Sequence, residues 1–138
     1  MFRRILLPVD LTDKNESALS TARELLAESG AAVLLHVIEA IADAPFEDMQ
    51  DFYQRLEEKA RSGMSTMAAS LASSDHAAEQ HVIYGRRATE IVSFAQENSI
   101  DLIVMTSRKF DPSRPETAWV SISHQVAVLA RCPVLLLK

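Results

Sequence analysis

Glycine is scarce in this sequence: 138 residues contain only Gly30, Gly63 and Gly85. Glycine-rich loops hold phosphate because their backbone amides approach the oxygens closely, in conformations that side chains disfavour. With so few glycines, the sequence contains no P-loop, no dinucleotide-binding fingerprint and no nucleophile elbow. The commonest glycine-dependent nucleotide and hydrolase motifs are therefore excluded.

Cysteine and metal-ligand patterns are also scarce. Cys132 is the single cysteine, so an internal disulfide is impossible. No base stands beside Cys132 in the sequence, and we interpret it as a small buried residue. None of the four histidines has a metal-ligand spacing to another His or Cys, and His36 is interpreted as half-buried with its hydrogen bonds satisfied. These patterns predict neither a metal site nor a catalytic residue.

The sequence has no excess of basic charge and no long apolar run. Its net charge of −5 argues against general binding to nucleic acid or to an anionic membrane. The first ten residues, MFRRILLPVD, contain an apolar run too short for a signal peptide or a membrane span. We expect a cytoplasmic protein with one domain over residues 1–138.

Five short apolar runs are spaced along the chain, and most are continuously apolar instead of alternating. Such runs predict strands buried on both faces, as in a parallel sheet covered by helices. The runs are Ile5–Val9, Ala32–Val37, Ala78–Tyr84, Leu102–Met105 and Val134–Leu137.

Helical patterns lie between these runs. Asp13, with Glu16 three residues later, predicts a capped helix start, and Gly30 is placed to end that helix. Three further patterns run from Glu47 to Ser73, from the residues after Gly85, and from Thr117 to Arg131.

The alternation of strands and helices predicts an α/β fold. We expect a single doubly wound, five-stranded parallel sheet with helices on both faces. The first and fourth strands would then be neighbours at the switch point where such sheets bind ligands. Asp10 ends the first strand at this edge. Its carboxylate is either a ligand contact or a turn-capping group, and the sequence leaves both interpretations open.

The segments RRILLPVDLTDKNESAL, VLLHV, IDLIVMTSR and ARCPVLLLK together resemble the universal stress protein family. The resemblance covers essentially the whole chain, in the family's order of elements. It implies a Rossmann-like sheet of the adenine-nucleotide-hydrolase type and a homodimer made under stress. The family contains members that bind ATP and members that do not.

The ATP-binding members carry the pattern G-x-x-G, about nine residues, then G-[S/T]. On this chain the three glycines fall on Thr106, Lys109 and Val120, with Ser121 as the hydroxyl residue. All three glycines are replaced and the spacer is ten residues, so the chain resembles the branch without a phosphate loop. Positions that match the adenosine side are partly retained: Pro8, Asp10, Val37 and Met105.

The leading hypothesis is a non-enzymatic stress-response protein that acts through protein contacts and needs no cofactor. The alternative is an ATP-binding module whose rebuilt loop uses basic side chains, and a nucleotide hydrolase is the third and weakest hypothesis. A solvated surface is the competing interpretation of those basic residues. They are Arg86, Arg87, Arg108, Lys109 and Arg114.

A homodimer is predicted on the final strand, because an apolar edge strand is an open template for pairing. The protein partners are not identified by the sequence, and neither nucleic acid nor membrane is expected among them. The predicted dimer residues are Val134, Leu135, Leu136 and Leu137.

Overall fold

The computed structural model describes residues 1–40, 44–72, 75–107, 112–116 and 121–138. The five strands are β1 (Phe2–Pro8), β2 (Leu26–Ile38), β3 (Ala77–Tyr84), β4 (Leu102–Thr106) and β5 (Val134–Leu137). The α-helices among the described residues are α1 (Glu16–Leu25), α2 (Gln50–Leu71), α3 (Arg87–Glu97) and α4 (Ile122–Leu129). Two short 3-10 helices, Asp13–Asn15 and Phe46–Met49, precede α1 and α2.

The strands form one sheet in the order β3-β2-β1-β4-β5, and all paired neighbours are parallel. Helices α1 and α2 pack on one face, and α3 and α4 pack on the other. Along β1, Ile5 and Leu7 face the first layer and Leu6 faces the second, all fully buried. Covering both faces explains the continuously apolar strands. The predicted doubly wound, Rossmann-like α/β fold is confirmed.

The first helix and the second strand meet earlier than predicted. Helix α1 starts at Glu16 after Asn15 and ends at Leu25, and β2 begins at Leu26. Gly30 therefore does not end the helix but lies inside β2. The register with β1 shifts there, and a Cβ on Gly30 would lie 2.9 Å from the Ala27 carbonyl oxygen. Gly30 is needed for this close backbone approach within an irregular strand.

Two other helices are shorter than predicted. The pattern from Glu47 begins as a 3-10 turn, and α2 proper ends at Leu71, while Ser73 lies outside the described residues. Helix α4 ends at Leu129, where Ala130 takes up an extended conformation, and its predicted start at Thr117 lies outside the described residues. No helix among the described residues is long and apolar enough to cross a bilayer.

Candidate functional site

A pocket of about 390 Å³ opens at the carboxyl ends of β1 and β4. These strands are neighbours in the sheet, and the helices that follow them, α1 and α4, lie on opposite faces. Open α/β sheets bind ligands at such a switch point. The pocket is lined by Pro8, Val9, Asp10, Asn15, Leu35, Val37, Arg87, Ile91, Met105, Thr106, Ser121, Ile122 and Ser123.

Most residues of the predicted degenerate nucleotide site come together in this pocket. Lys109 and Val120, the other two, lie outside the described residues. Their common location was expected from the strand order, but their role in nucleotide binding stays a prediction. The six that line the pocket are Pro8, Asp10, Val37, Met105, Thr106 and Ser121.

The inner wall of the pocket is apolar and belongs partly to the core. Val37 and Met105 are buried, with 6% and 7% of their surface exposed, and both contribute to the core under α3 and α4. Pro8 is half-buried at the end of β1. An apolar wall beside a few polar groups suits a small ligand with a flat or apolar part.

Asp10 is exposed at the end of β1 and organises the turn that follows. Its Oδ1 accepts hydrogen bonds from the Thr12 amide at 3.0 Å, the Thr12 hydroxyl at 2.7 Å and the Asn15 side chain at 2.8 Å. Partial burial raises the pKa of Asp10, but these hydrogen bonds outweigh it and leave the pKa below its usual value. Asp10 thus caps the turn and also lines the pocket, so the two interpretations are compatible.

The turn after Asp10 contains a residue in the left-handed conformation. Leu11 has φ of 67°, a backbone region that few residues other than glycine adopt. Its side chain is partly buried and packs against the core under α1 and α2. The hydrogen bonds to Asp10 and this packing together hold the turn beside the pocket.

Two hydroxyl residues stand on the side of the pocket where the family pattern has its phosphate loop. The Thr106 hydroxyl donates a hydrogen bond to the Lys14 carbonyl at 3.0 Å. Ser121 is buried at the N-cap of α4, where its Oγ accepts a hydrogen bond from the His124 amide at 3.1 Å. Each side chain is therefore already engaged with the protein.

One of the five basic candidates, Arg87, lines the pocket. Its amide donates to Glu39 Oε1 at 3.1 Å, and its Nε lies 3.9 Å from the same oxygen. Arg86 is exposed at the N-cap of α3, and Arg114 lies 3.9 Å from Glu116. The remaining two, Arg108 and Lys109, are outside the described residues.

Sequence reasoning missed two polar residues of the pocket, Asn15 and Ser123. Both are buried, and Asn15 binds Asp10 through its side chain. A polar residue five positions after a strand-ending aspartate was a usable signal for Asn15. Ser123 Oγ lies 3.5 Å from Ser121 Oγ, and the spacing of two serines at the helix start was the corresponding signal.

Of two residues interpreted as structural, His36 has the environment expected of it, whereas Cys132 is half-buried and not buried as predicted. His36 is half-buried, and its Nδ1 donates to the Val9 carbonyl oxygen at 2.8 Å, which fixes the end of β1. Burial raises the pKa of the Cys132 thiol, which keeps it protonated. In the part of the chain that the structure describes, no cluster of three His, Cys, Asp or Glu residues could hold a metal ion.

The whole chain matches a family of known proteins. A family model described as the universal stress protein family matches residues 1–138. The chain is 27% identical to universal stress protein G from Shigella flexneri, over 100% of both chains. It is also 27% identical to universal stress protein YxiE from Bacillus subtilis, again over 100% of both.

Solved structures share the fold. A hypothetical protein, MJ0577, matches with a TM-score of 0.84 at 24% identity, covering 100% of this chain and 96% of that one. An Archaeoglobus fulgidus universal stress protein in complex with dAMP matches with a TM-score of 0.67 at 22% identity, over 98% and 97%. A universal stress protein in complex with cAMP matches with a TM-score of 0.72 at 16% identity, over 99% and 97%.

Proposed function

Because this chain belongs to the universal stress protein family, we propose that it is a cytoplasmic, non-enzymatic stress-response protein that acts as a homodimer through protein contacts. In this proposal its pocket does not hold ATP. The absence of ATP binding is proposed from one observation, the hydrogen bond that the Thr106 hydroxyl donates to the Lys14 carbonyl. Thr106 occupies the first glycine position of the family's ATP-binding pattern, at the mouth of a pocket lined by the adenosine-side positions.

A threonine at this position works against phosphate binding in two ways. It adds a branched side chain where glycine would let phosphate oxygens approach the backbone amides. Its hydroxyl is also committed to Lys14, so it is not positioned as a phosphate donor. Pro112 and Pro115, further along the same connection, remove two more backbone amide donors.

The alternative function is nucleotide binding through side-chain charge. The observation that favours it is Arg87 at the pocket, because a guanidinium can bind phosphate without a glycine loop. Relatives of the same fold are described in complex with dAMP and cAMP, which have a single phosphate. The retained apolar wall of Val37 and Met105 would serve such a ligand as well.

Calorimetric titration separates these functions. The purified protein is titrated with ATP in magnesium, then with AMP and with adenosine, after analysis of any nucleotide that co-purifies. The proposal expects no co-purified nucleotide and ATP binding weaker than millimolar. Micromolar ATP affinity, lost in Arg87→Ala, would instead establish the alternative. Release of ADP over time would establish a hydrolase.

The homodimer is proposed on the free edge of β5. Ile103 donates to the Pro133 carbonyl and Ser107 donates to the Leu137 carbonyl, so Pro133, Leu135 and Leu137 present their backbone groups to β4. By alternation, the amides and carbonyls of Val134 and Leu136 point to the open edge. The same strand from a second copy, running antiparallel about a two-fold axis, would pair both edges at once.

Exposed apolar side chains on α4, the helix that precedes β5, support a protein contact on this part of the chain. Val128 and Leu129, at the end of α4, are 66% and 55% exposed. All four residues of β5 are apolar and only partly buried in the single chain. Sedimentation at tens of micromolar tests the proposal, and a monomer at that concentration would contradict it.

A further inference from the structure

The aromatic residues of this chain are concentrated in one corner. The sequence has eight Phe, Tyr and Trp residues, and four of them form a single contact cluster. The cluster lies where the Phe46–Met49 turn, the start of α2 and the end of β3 meet. Its members are Phe46, Phe52, Tyr53 and Tyr84.

Buried Tyr53 holds the other three rings in place. Phe46 stacks on it with ring centroids 5.3 Å apart and an interplanar angle of 9°. Phe52 and Tyr84 meet it edge-on at 5.4 and 6.0 Å. The Tyr84 hydroxyl donates to Glu57 Oε2 at 2.8 Å, so this ring is fixed at both ends. The cluster is therefore a preformed surface.

The three outer rings remain exposed although each contacts Tyr53. Phe46 is 55% exposed, and Phe52 and Tyr84 are each 37% exposed. Tyr53 alone is buried, with 2% of its surface exposed. A contiguous exposed aromatic group on a small domain marks an interaction site, because burying these rings in the domain itself would have been favourable.

The segment that carries Phe46, Phe52 and Tyr53 is acidic in sequence. Residues 39–54 contain five acidic residues and no Lys, Arg or His. The other fourteen acidic residues of the chain are balanced by its fourteen Lys and Arg residues, so this window accounts for the whole net charge of −5. Glu47, Asp48 and Asp51 are exposed on the same turn as Phe46 and the first turn of α2.

We propose that the surface formed by Phe46, Glu47, Asp48, Asp51, Phe52 and Tyr84 docks an arginine- or lysine-bearing peptide segment of a protein partner. Aromatic faces and carboxylates side by side are the complement of a guanidinium or ammonium group, which stacks on the ring and pairs with the acid. The proposal rests on the proposed action through protein contacts and names the chemistry of one partner.

Charge and position disfavour pairing of this surface with the same surface of a second copy. Two such surfaces would bring their negative charges together, which opposes association. The surface also lies at the end of the sheet formed by β3, whereas the proposed dimer edge, β5, is at the other end. A dimer built on β5 therefore leaves both acidic aromatic surfaces open to partners.

A random 12-residue peptide library displayed on phage tests this proposal with the intact wild-type protein as bait. We expect enriched sequences to be rich in Arg and Lys. The most enriched peptide is then synthesised with a fluorescent label, and its affinity is measured by anisotropy in physiological salt. Enrichment of no sequence, or of sequences without basic residues, would overturn the proposal.

Variants then locate the site. Phe46→Leu keeps an apolar side chain but removes the ring, and it should weaken the selected peptide by about fivefold or more. Asp51→Asn should also weaken it, whereas Glu24→Gln, which removes the same charge from exposed α1, should not. Both site residues are exposed, and unchanged thermal melting checks the fold of each variant. Equal binding by wild type, Phe46→Leu and Asp51→Asn would refute the assignment, and the ATP and dimer measurements would be unaffected.

Discussion

The hydroxyl of Thr106, at the end of β4, donates a hydrogen bond to the backbone carbonyl of Lys14, 3.0 Å away in the 3-10 turn that follows β1. This bond joins the end of β4 to the connection between β1 and α1. It also fixes the direction of the side chain at the position that we predict to correspond to the first glycine of the ATP-binding pattern. The side of the pocket that we propose to have lost phosphate binding is therefore closed by a specific hydrogen bond, which substitution can test.

Restoring the glycine pattern should restore some phosphate binding. The triple variant Thr106→Gly, Lys109→Gly and Val120→Gly frees the backbone amides and removes the tie to Lys14, so ATP affinity should rise into the measurable range. Calorimetry in magnesium is the measurement. The matched control carries Ser at position 106 with the same two glycines, which keeps the hydroxyl, and it should bind at least tenfold more weakly. Equal affinities would show that Thr106 is not the cause, and no binding by either variant would show that the ten-residue spacer or the adenosine side prevents binding as well.

Asp10 should stabilise the turn at the pocket without being essential for the fold. Asp10→Ala removes the acceptor of three hydrogen bonds, and because the carboxylate is exposed we expect a loss of about 1 kcal/mol in the free energy of unfolding. Asp10→Asn retains an oxygen that can accept from Thr12 and should lose less. Urea denaturation at pH 7 measures both, and equal stability of all three proteins would contradict the role of Asp10 in this turn.

The fold was predictable because the three central strands, β1, β2 and β4, are buried on both faces. The runs Ile5–Val9 and Leu102–Met105 stand out as uninterrupted apolar segments, and their places in the sheet follow from handedness. The start of β2 was not predictable in this way. Residues from Leu26 to Gly30 continue a helical spacing, but the chain leaves the helix at Leu26 to pair with β1 through an irregular register. Tertiary pairing outweighed local pattern there.

The pocket was partly predictable for a related reason. Pro8 and Met105 end or nearly end neighbouring strands, so strand order alone brings them together. Arg87, by contrast, is the first residue of α3. It lines the pocket only because of the way this helix packs on the sheet, which strand order does not predict. Exposure of the aromatic cluster was likewise not predictable, because the sequence does not say whether Phe46 and Phe52 pack inside the domain or face solvent.

Glu79 should contribute stability that disappears in acid. Its carboxylate binds the Arg4 guanidinium at 2.6 Å, across the intervening strand β2, and lies 3.3 Å from His81 Nε2. The hydrogen bond from Arg4 lowers the pKa of Glu79; burial raises it less, and His81 lowers it further. Because the pKa of Glu79 is lower in the folded protein, the ionised carboxylate contributes its full stabilisation above the ordinary Glu pKa of about 4.3. This contribution is lost as the pH falls through the pKa of Glu79 in the folded state.

The measurement is the difference in unfolding free energy between wild type and Glu79→Gln. At pH 7 we expect it to be about 1 kcal/mol or less, because the pair is only partly buried. The difference should shrink towards zero as the pH is lowered well below 4. Glu24→Gln on exposed α1 is the control. A difference that is constant with pH would mean that the ionised carboxylate of Glu79 is not what stabilises the fold.

The dimer can be tested through the backbone of β5. Side-chain charges are a poor tool here, because Leu135 and Leu137 pack against the core under α1 and α2, and a lysine would disturb folding as well as pairing. Proline removes one backbone amide and obstructs strand pairing on the side to which that amide points. The two directions of the β5 amides therefore allow a matched pair of variants.

Leu136→Pro removes an amide that points to the open edge, so it should give a folded monomer of somewhat lower stability. Leu135→Pro removes an amide that points to β4, so it should destabilise the domain itself, by about 3 kcal/mol or more. Sedimentation velocity at tens of micromolar, with circular dichroism to follow folding, separates the two effects. If Leu136→Pro remains a dimer as tight as the wild type, the two copies do not pair through this edge, and the exposed Val128 and Leu129 would have to meet a partner in another way.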